Sequence, residues 1–158
     1  MAKILSLFFC GFPVTIRVAA EKKFKGFIDL VVYSHKDKKV HLIDWKTCSW
    51  GWKPQKKSDK ILAYQLVFYK HFYAQKYEVE PKDIDCHFVL LKRTAKAGKK
   101  AEFVRVTAAK KRTSDALNAL TKALHNINKE NYVKNRNACV DCKDRFGTCE
   151  FYRTEYCK

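Results

Sequence analysis

Residues 40–47 read Val40-His41-Leu42-Ile43-Asp44-Trp45-Lys46-Thr47, and the fold is decided by this stretch. Strand side chains alternate, so Val40, Leu42, Asp44 and Lys46 share one face and His41, Ile43, Trp45 and Thr47 the other. Apolar groups on both faces predict packed layers on both sides. Asp44 and Lys46 then project from one face roughly 7 Å apart along the backbone. Charged groups in so apolar a strand need partners or a task.

Working outward, residues 14–20 and 24–33 are also β-rich, and charged turns at residues 20–23 and 35–39 separate the three runs. That pattern predicts an antiparallel meander. Ser58 is a candidate N-cap for a helix reaching about Tyr77, because Ile61, Leu62, Leu66, Tyr69, Phe72 and Tyr73 recur at three- and four-residue steps. Residues 86–91 and 102–107 read as strands joined through a turn at Ala97-Gly98. A last helix is expected over residues 113–127 on Leu117, Leu120, Leu124 and Ile127. The order βββ, α, ββ, α and a cysteine-rich tail predicts an α/β fold, a mixed central sheet flanked by helices.

Composition sets the outer limits. The 158 residues carry a net charge of +17, with 47% hydrophobic and 14% aromatic residues, 5 Gly and 3 Pro. Such a chain can bury a core and is neither disordered nor collagen-like, and its charge asks for a polyanionic partner. No apolar run approaches the roughly 18 residues of a spanning helix, which excludes an integral membrane protein of the helical kind. Residues 1–12 faintly resemble a secretory leader, but Pro13, Thr15 and Arg17 interrupt that pattern, so the segment is read as a buried first element leading into a strand.

Asp29 closes the apolar climb Gly26-Phe27-Ile28, just as Asp44 and Lys46 close the next strand. If the neighbouring strand brings Asp29 opposite, two carboxylates and one ammonium converge. Two carboxylates can hold Mg²⁺ or Mn²⁺, the ion can bind a scissile phosphate, and a lysine can orient or deprotonate a water. The alternative is a simple edge-strand salt bridge between Asp44 and Lys46, since D-x-K triplets are common.

The stretches Gly26-Phe27-Ile28-Asp29-Leu30-Val31, Ile43-Asp44-Trp45-Lys46-Thr47 and Gln65-Leu66-Val67-Phe68-Tyr69 together resemble the PD-(D/E)XK nuclease superfamily. They look most like its RecB-type branch of phage and CRISPR-associated exonucleases. The resemblance covers about residues 14–77, with the cysteine tail extending it to the C-terminus, and implies a restriction-endonuclease-like sheet. It further implies metal binding by Asp29 and Asp44, service of the attacking water by Lys46, and completion of the site by Gln65 and Tyr69. Residues 1–130 would form the nuclease core and residues 131–158 a Cys-rich metal-binding tail. The implied function is a metal-dependent DNA nuclease, in exonuclease form, of recombination, repair or phage DNA metabolism. One departure stands out. Many members carry an upstream helical region with a metal-binding His, whereas 28 residues precede Asp29 here and none is His. A catalytically weak nucleic-acid-binding subunit, or one whose protein partner supplies that region, is therefore the second expectation. Glu21 is a lesser candidate ligand, and His35 and His41 are read as turn and strand residues.

Of 7 cysteines, Cys139, Cys142, Cys149 and Cys157 crowd into the tail. Clustered thiols favour metal over disulfides and an intracellular setting, and four soft ligands suit Zn²⁺ or an iron–sulfur cluster. The resemblance implies Cys139, Cys142 and Cys149 as cluster ligands, with Cys157 or Cys10 as the fourth. Cys48 and Cys86 are read, like Cys10, as small apolar residues.

The basic residues form two groups. Lys92, Arg93, Lys96, Lys99, Lys100, Arg105, Lys110, Lys111 and Arg112 face a single acid, Glu102. Lys53, Lys56, Lys57 and Lys60 follow Trp50-Gly51-Trp52. Both are candidate phosphate-binding bands for single-stranded DNA or duplex ends, and the two indoles are either base-stacking platforms or packing under the next helix.

Overall fold

The computed structural model describes residues 6–17, 23–131, 143–144, 147–148 and 152–155, with side chains described from Lys25 to Asn131 and again at 152–155. Three long strands come first: β1 (Ser6–Arg17), β2 (Lys23–Ser34) and β3 (Lys39–Cys48). They pair antiparallel in sequence, the meander expected from the charged turns. The first strand begins well upstream of residue 14, so much of the expected leading element is itself strand.

A short helix, α1 (Pro54–Lys57), and a long one, α2 (Lys60–Tyr77), carry the chain across the sheet to β4 (Ile84–Lys92). The two strands joined by this crossover, β3 and β4, pair in parallel from Val40↔Ile84 to Cys48↔Lys92, as a helical connection between neighbouring strands requires. Antiparallel β5 (Ala101–Val106) follows through a turn in which Gly98 takes a φ of +79°. The four strands β2-β3-β4-β5 thus form a mixed sheet, and β1 extends it to five on the β2 edge. Helix α3 (Lys110–Asn128) completes the α/β arrangement.

The expected N-cap of the long helix needs correction. Asp59 holds that position, its Oδ1 accepting from the backbone N–H groups of Ile61 and Leu62 at 2.8 and 3.3 Å. Pro54 starts α1, an element with no hydrophobic stripe to betray it, and Ser58 closes α1 instead. The core lies between α2 and one sheet face, where Ile28, Val31, Leu42, Leu66, Tyr69, Phe72, Ile84, Phe88 and Leu90 form one buried cluster. Each fully buried aliphatic or aromatic side chain contributes about 1.5–3 kcal/mol, and Leu117 of α3 packs on the same cluster. The opposite face holds a smaller group of Val32, Ile43 and Val89, with Trp45 and Phe103 exposed. The two faces are thus unequally covered among the described residues.

The chain divides into two compact units, Met1–Lys122 and Ala123–Lys158. In the second, β6 (Lys143–Asp144) and β7 (Gly147–Thr148) form a small antiparallel pair. Cys139, Cys142, Cys149, Cys157 and Glu21 lie outside the described residues, as does the side chain of Cys10. Cys48 and Cys86 are free thiols, and burial pushes that of Cys86 up to about 12. Among the described residues no helix is long and apolar enough to cross a membrane.

Candidate active site

The β2–β3 ladder runs from Ser34↔Lys39 to Leu30↔Ile43 and stops. Beyond it the Trp45 backbone N–H donates to Asp29 Oδ2 at 2.8 Å, so a side chain replaces the missing backbone acceptor. Asp29 is thereby fixed beside β3, close enough for its charge to act on the Asp44 carboxyl. The core residues Ile28 and Val31 stand three apart, so strict alternation breaks across Asp29. Local pattern alone does not predict that break.

Asp44 is 2% exposed, the one charged side chain buried among the described residues. Lys46 Nζ lies 2.6 Å from its Oδ1, and Gln65 Nε2 donates to its Oδ2 at 2.7 Å. A carboxylate can only accept, which orients the Gln65 amide with nitrogen toward Asp44. The same nitrogen lies 3.0 Å from the Tyr69 hydroxyl oxygen, giving a chain Asp44, Gln65, Tyr69. Gln65 and Tyr69 stand one helical turn apart on α2 and so present one face. Lys46 Nζ also lies over the Phe88 ring, 5.7 Å from its centroid. All five expected site residues therefore gather around the C-terminal half of β3. Strand β3 is interior, between β2 and β4, so the Asp44–Lys46 contact is not an edge-strand salt bridge.

Electrostatics follow from burial. Desolvation pushes the Asp44 carboxyl above the usual aspartate range; Lys46 opposes that shift and the nearby Asp29 adds to it. Burial likewise raises the Tyr69 phenol, Gln65 pulling the other way and both aspartates adding to the rise, so the hydroxyl keeps its proton.

Two carboxylates offer hard oxygen ligands suited to Mg²⁺ or Mn²⁺. Asp44 Oδ1 makes no directed hydrogen bond, only the close Lys46 contact, and so retains accepting capacity. The residues present fit a divalent cation on those grounds. Among the described residues no set of three or more His, Cys, Asp or Glu side chains gathers as a metal centre. Water and substrate would have to complete the coordination, as is usual for Mg²⁺.

Sequence reasoning missed two participants. Gly26 packs against Tyr69, since an added Cβ would meet Tyr69 Cε1 at 2.8 Å. Phe88, opposite Asp44 in the β3–β4 register, is the surface beneath Lys46. The glycine before the aspartate motif is a signal for the first; an apolar strand residue gives none for the second.

The basic groups also sort themselves. Lys57 and Lys92 both pair with Glu102, at 2.5 and 3.2 Å, so these two charges are partly neutralised. Arg105 bonds Asp85 on the other sheet face. Lys53, Arg93, Lys96, Lys99 and Lys100 are exposed, while Lys110, Lys111 and Arg112 open α3. Lys56 lies over the Trp52 ring, 5.0 Å from its centroid.

The sequence profile described as the PD-(D/E)XK nuclease superfamily matches residues 7–152, nearly the whole chain. No curated protein matches the chain.

Proposed function

Because the chain belongs to the PD-(D/E)XK nuclease superfamily, we propose that it is a divalent-metal-dependent deoxyribonuclease that attacks DNA from its ends, in the manner of the RecB-like branch. Membership implies a nuclease with a nucleic-acid substrate, and such enzymes typically use a divalent metal. Exonuclease action and a setting in recombination, repair or phage DNA metabolism are the finer reading. The observation that carries the metal-dependent nuclease reading is the pairing of Lys46 and Gln65 with the buried Asp44 carboxylate, with Asp29 held on the adjoining Trp45 N–H.

Asp29 and Asp44 would hold the cation, which when bound supplies charge neutralisation at the phosphate and acidifies a water. Lys46 Nζ, held at the mouth of the site by Asp44 and Phe88, orients the attacking water and receives or returns its proton. Gln65 keeps Asp44 in one rotamer by donating to Oδ2. Tyr69, protonated and accepting from Gln65, still has its own O–H to donate to a phosphate oxygen. Each role needs fixed geometry more than mobility.

End-labelled DNA incubated with Mg²⁺ or Mn²⁺ tests the proposal. Wild type should shorten the strand, and Asp44→Ala and Lys46→Ala should not; equal cleavage by all three would refute it. A second reading, a nucleic-acid-binding subunit without turnover, draws on the fact that among the described residues no third acidic or histidine ligand joins Asp29 and Asp44. It predicts salt-sensitive binding and no cleavage under any divalent ion.

The tail adds a separate proposal. Cys139, Cys142 and Cys149, with Cys157 or Cys10, would hold Zn²⁺ or an iron–sulfur cluster. Anaerobic purification decides between them: visible absorbance with bound iron supports the cluster, stoichiometric zinc in colourless protein supports zinc, and neither refutes both.

A further inference from the structure

The two tryptophans that follow β3 part company in the fold. Trp52 is buried, its ring 5.3 Å from that of Phe88, and so anchors the loop to the core beside Lys46. Trp50 is 82% exposed, the barest large apolar side chain among the described residues.

The loop that displays Trp50 is pinned from several sides. The backbone N–H of Arg93 donates to Cys48 O at 2.9 Å, and that of Thr94 to Ser49 O at 3.2 Å. Arg93 also donates from its guanidinium to Ser49 Oγ at 3.0 Å. Gly51 takes a φ of +109° with Glu102 close behind it, a conformation that reverses the chain where a side chain would be strained. A loop so tied, with its other indole buried, holds Trp50 away from the core it would otherwise join. A bare indole costs hydrophobic free energy, and that cost is understandable when a ligand with a π-face covers it.

We propose that Trp50 is a base-stacking side chain that grips an unpaired nucleotide beside the cleavage site, making single-stranded nucleic acid the favoured substrate. This rests on the nuclease reading for its site but not for its binding. Trp50 lies four residues past Lys46, at most about 14 Å along an extended chain, which spans a few nucleotides at the roughly 3.4 Å spacing of a stacked strand. Exposed Lys53 and Lys56 follow it in the chain and exposed Arg93 is tied to the neighbouring Ser49, so that their charges would neutralise the adjoining phosphates. A base in a duplex is already stacked on both sides, so the indole discriminates in favour of unpaired ones.

The test is binding in EDTA, where nothing is cut, read by anisotropy of a labelled dT12 and of a blunt duplex. Trp50→Ala should weaken dT12 binding about tenfold, or about 1.4 kcal/mol, and change duplex binding less than twofold. Trp50→Tyr, which keeps a stacking ring, should stay within about threefold of wild type. Binding of dT12 should quench tryptophan emission, and Trp50→Ala should remove most of that quench. Unchanged dT12 affinity in Trp50→Ala, equal losses on both probes, or an unaltered quench would each overturn the proposal. Because Trp50 is exposed, its loss leaves no cavity, and the Tyr variant guards against a folding artefact. The two readings fail separately: Trp50-dependent binding without metal-dependent cleavage removes the nuclease and leaves the stacking, and Asp44-dependent cleavage with Trp50-independent binding does the reverse.

Discussion

Asp44 carries a charge where the fold resists one. Burial raises its carboxyl above the usual range against the pull of Lys46, so the folded state binds its proton more tightly than the unfolded chain does. The stabilisation linked to that proton is present below the unfolded value and is lost as pH rises through the raised folded one. Asp44→Asn should therefore abolish cleavage while leaving the metal-free melting temperature at pH 8 equal to or above that of wild type. Differential scanning fluorimetry checks this, and a fall of several degrees would mean that the Lys46 and Gln65 contacts outweigh desolvation. At Gly26, substitution by Ala drives a Cβ into the buried Tyr69 ring. The expected cost is about 1–3 kcal/mol of stability, read by urea unfolding, together with reduced cleavage as Tyr69 shifts away from Gln65.

At the scale of elements, α2 acts as a ruler: its capped start at Asp59 sets the turn that aims Gln65 and Tyr69 at β3. Gln65→Leu keeps the bulk and removes the donor to Asp44, and should lower kcat about 100-fold with little change in KM, as single-turnover kinetics would show. On the far face Asp85 of β4 ties β3 to β5, accepting from Lys39 at 3.1 Å and from Arg105 at 2.7 Å. Burial pulls its carboxyl up, but these two partners prevail and hold it below the usual range. A depressed carboxyl stabilises above its unfolded value and loses that contribution as pH falls through its folded one. Asp85→Asn should thus lower the urea midpoint at pH 7, and its difference from wild type should shrink as pH falls below the usual aspartate range. Most elements were legible in the sequence, because the β3 run alternates and the apolar residues of α2 recur at three- and four-residue steps, whereas β2 breaks its alternation at Asp29. Helix α1 was not, since Pro54–Lys57 has no buried residue to mark it. The cap was misassigned for a related reason: Ser58 and Asp59 are adjacent and both can cap, and only the presence of α1 selects between them.

At the scale of the whole molecule, +17 is a long-range statement about partners. If about four phosphates are neutralised, single-strand affinity should fall with salt at a log–log slope of about −3, measurable by anisotropy between 50 and 200 mM salt. A slope near zero would remove electrostatics from the account. Composition announced that field without showing its shape. Lys57 and Lys92 looked like free phosphate contacts, yet both converge on Glu102, separated from them by 45 and 10 residues in the chain.

By itself the sequence determined which chemistries were possible: the face-sharing of Asp44 with Lys46, that of Gln65 with Tyr69, and the charge that calls for a polyanion. These follow from periodicity and side-chain type, which are local properties. Tertiary structure alone decided that β3 is interior, that its ladder with β2 ends in time for Asp29 to reach the Trp45 N–H, and that Trp52 is buried while Trp50 is bare. Those outcomes depend on register and on which segments meet across long stretches of chain, and no repeat within one element encodes its neighbour.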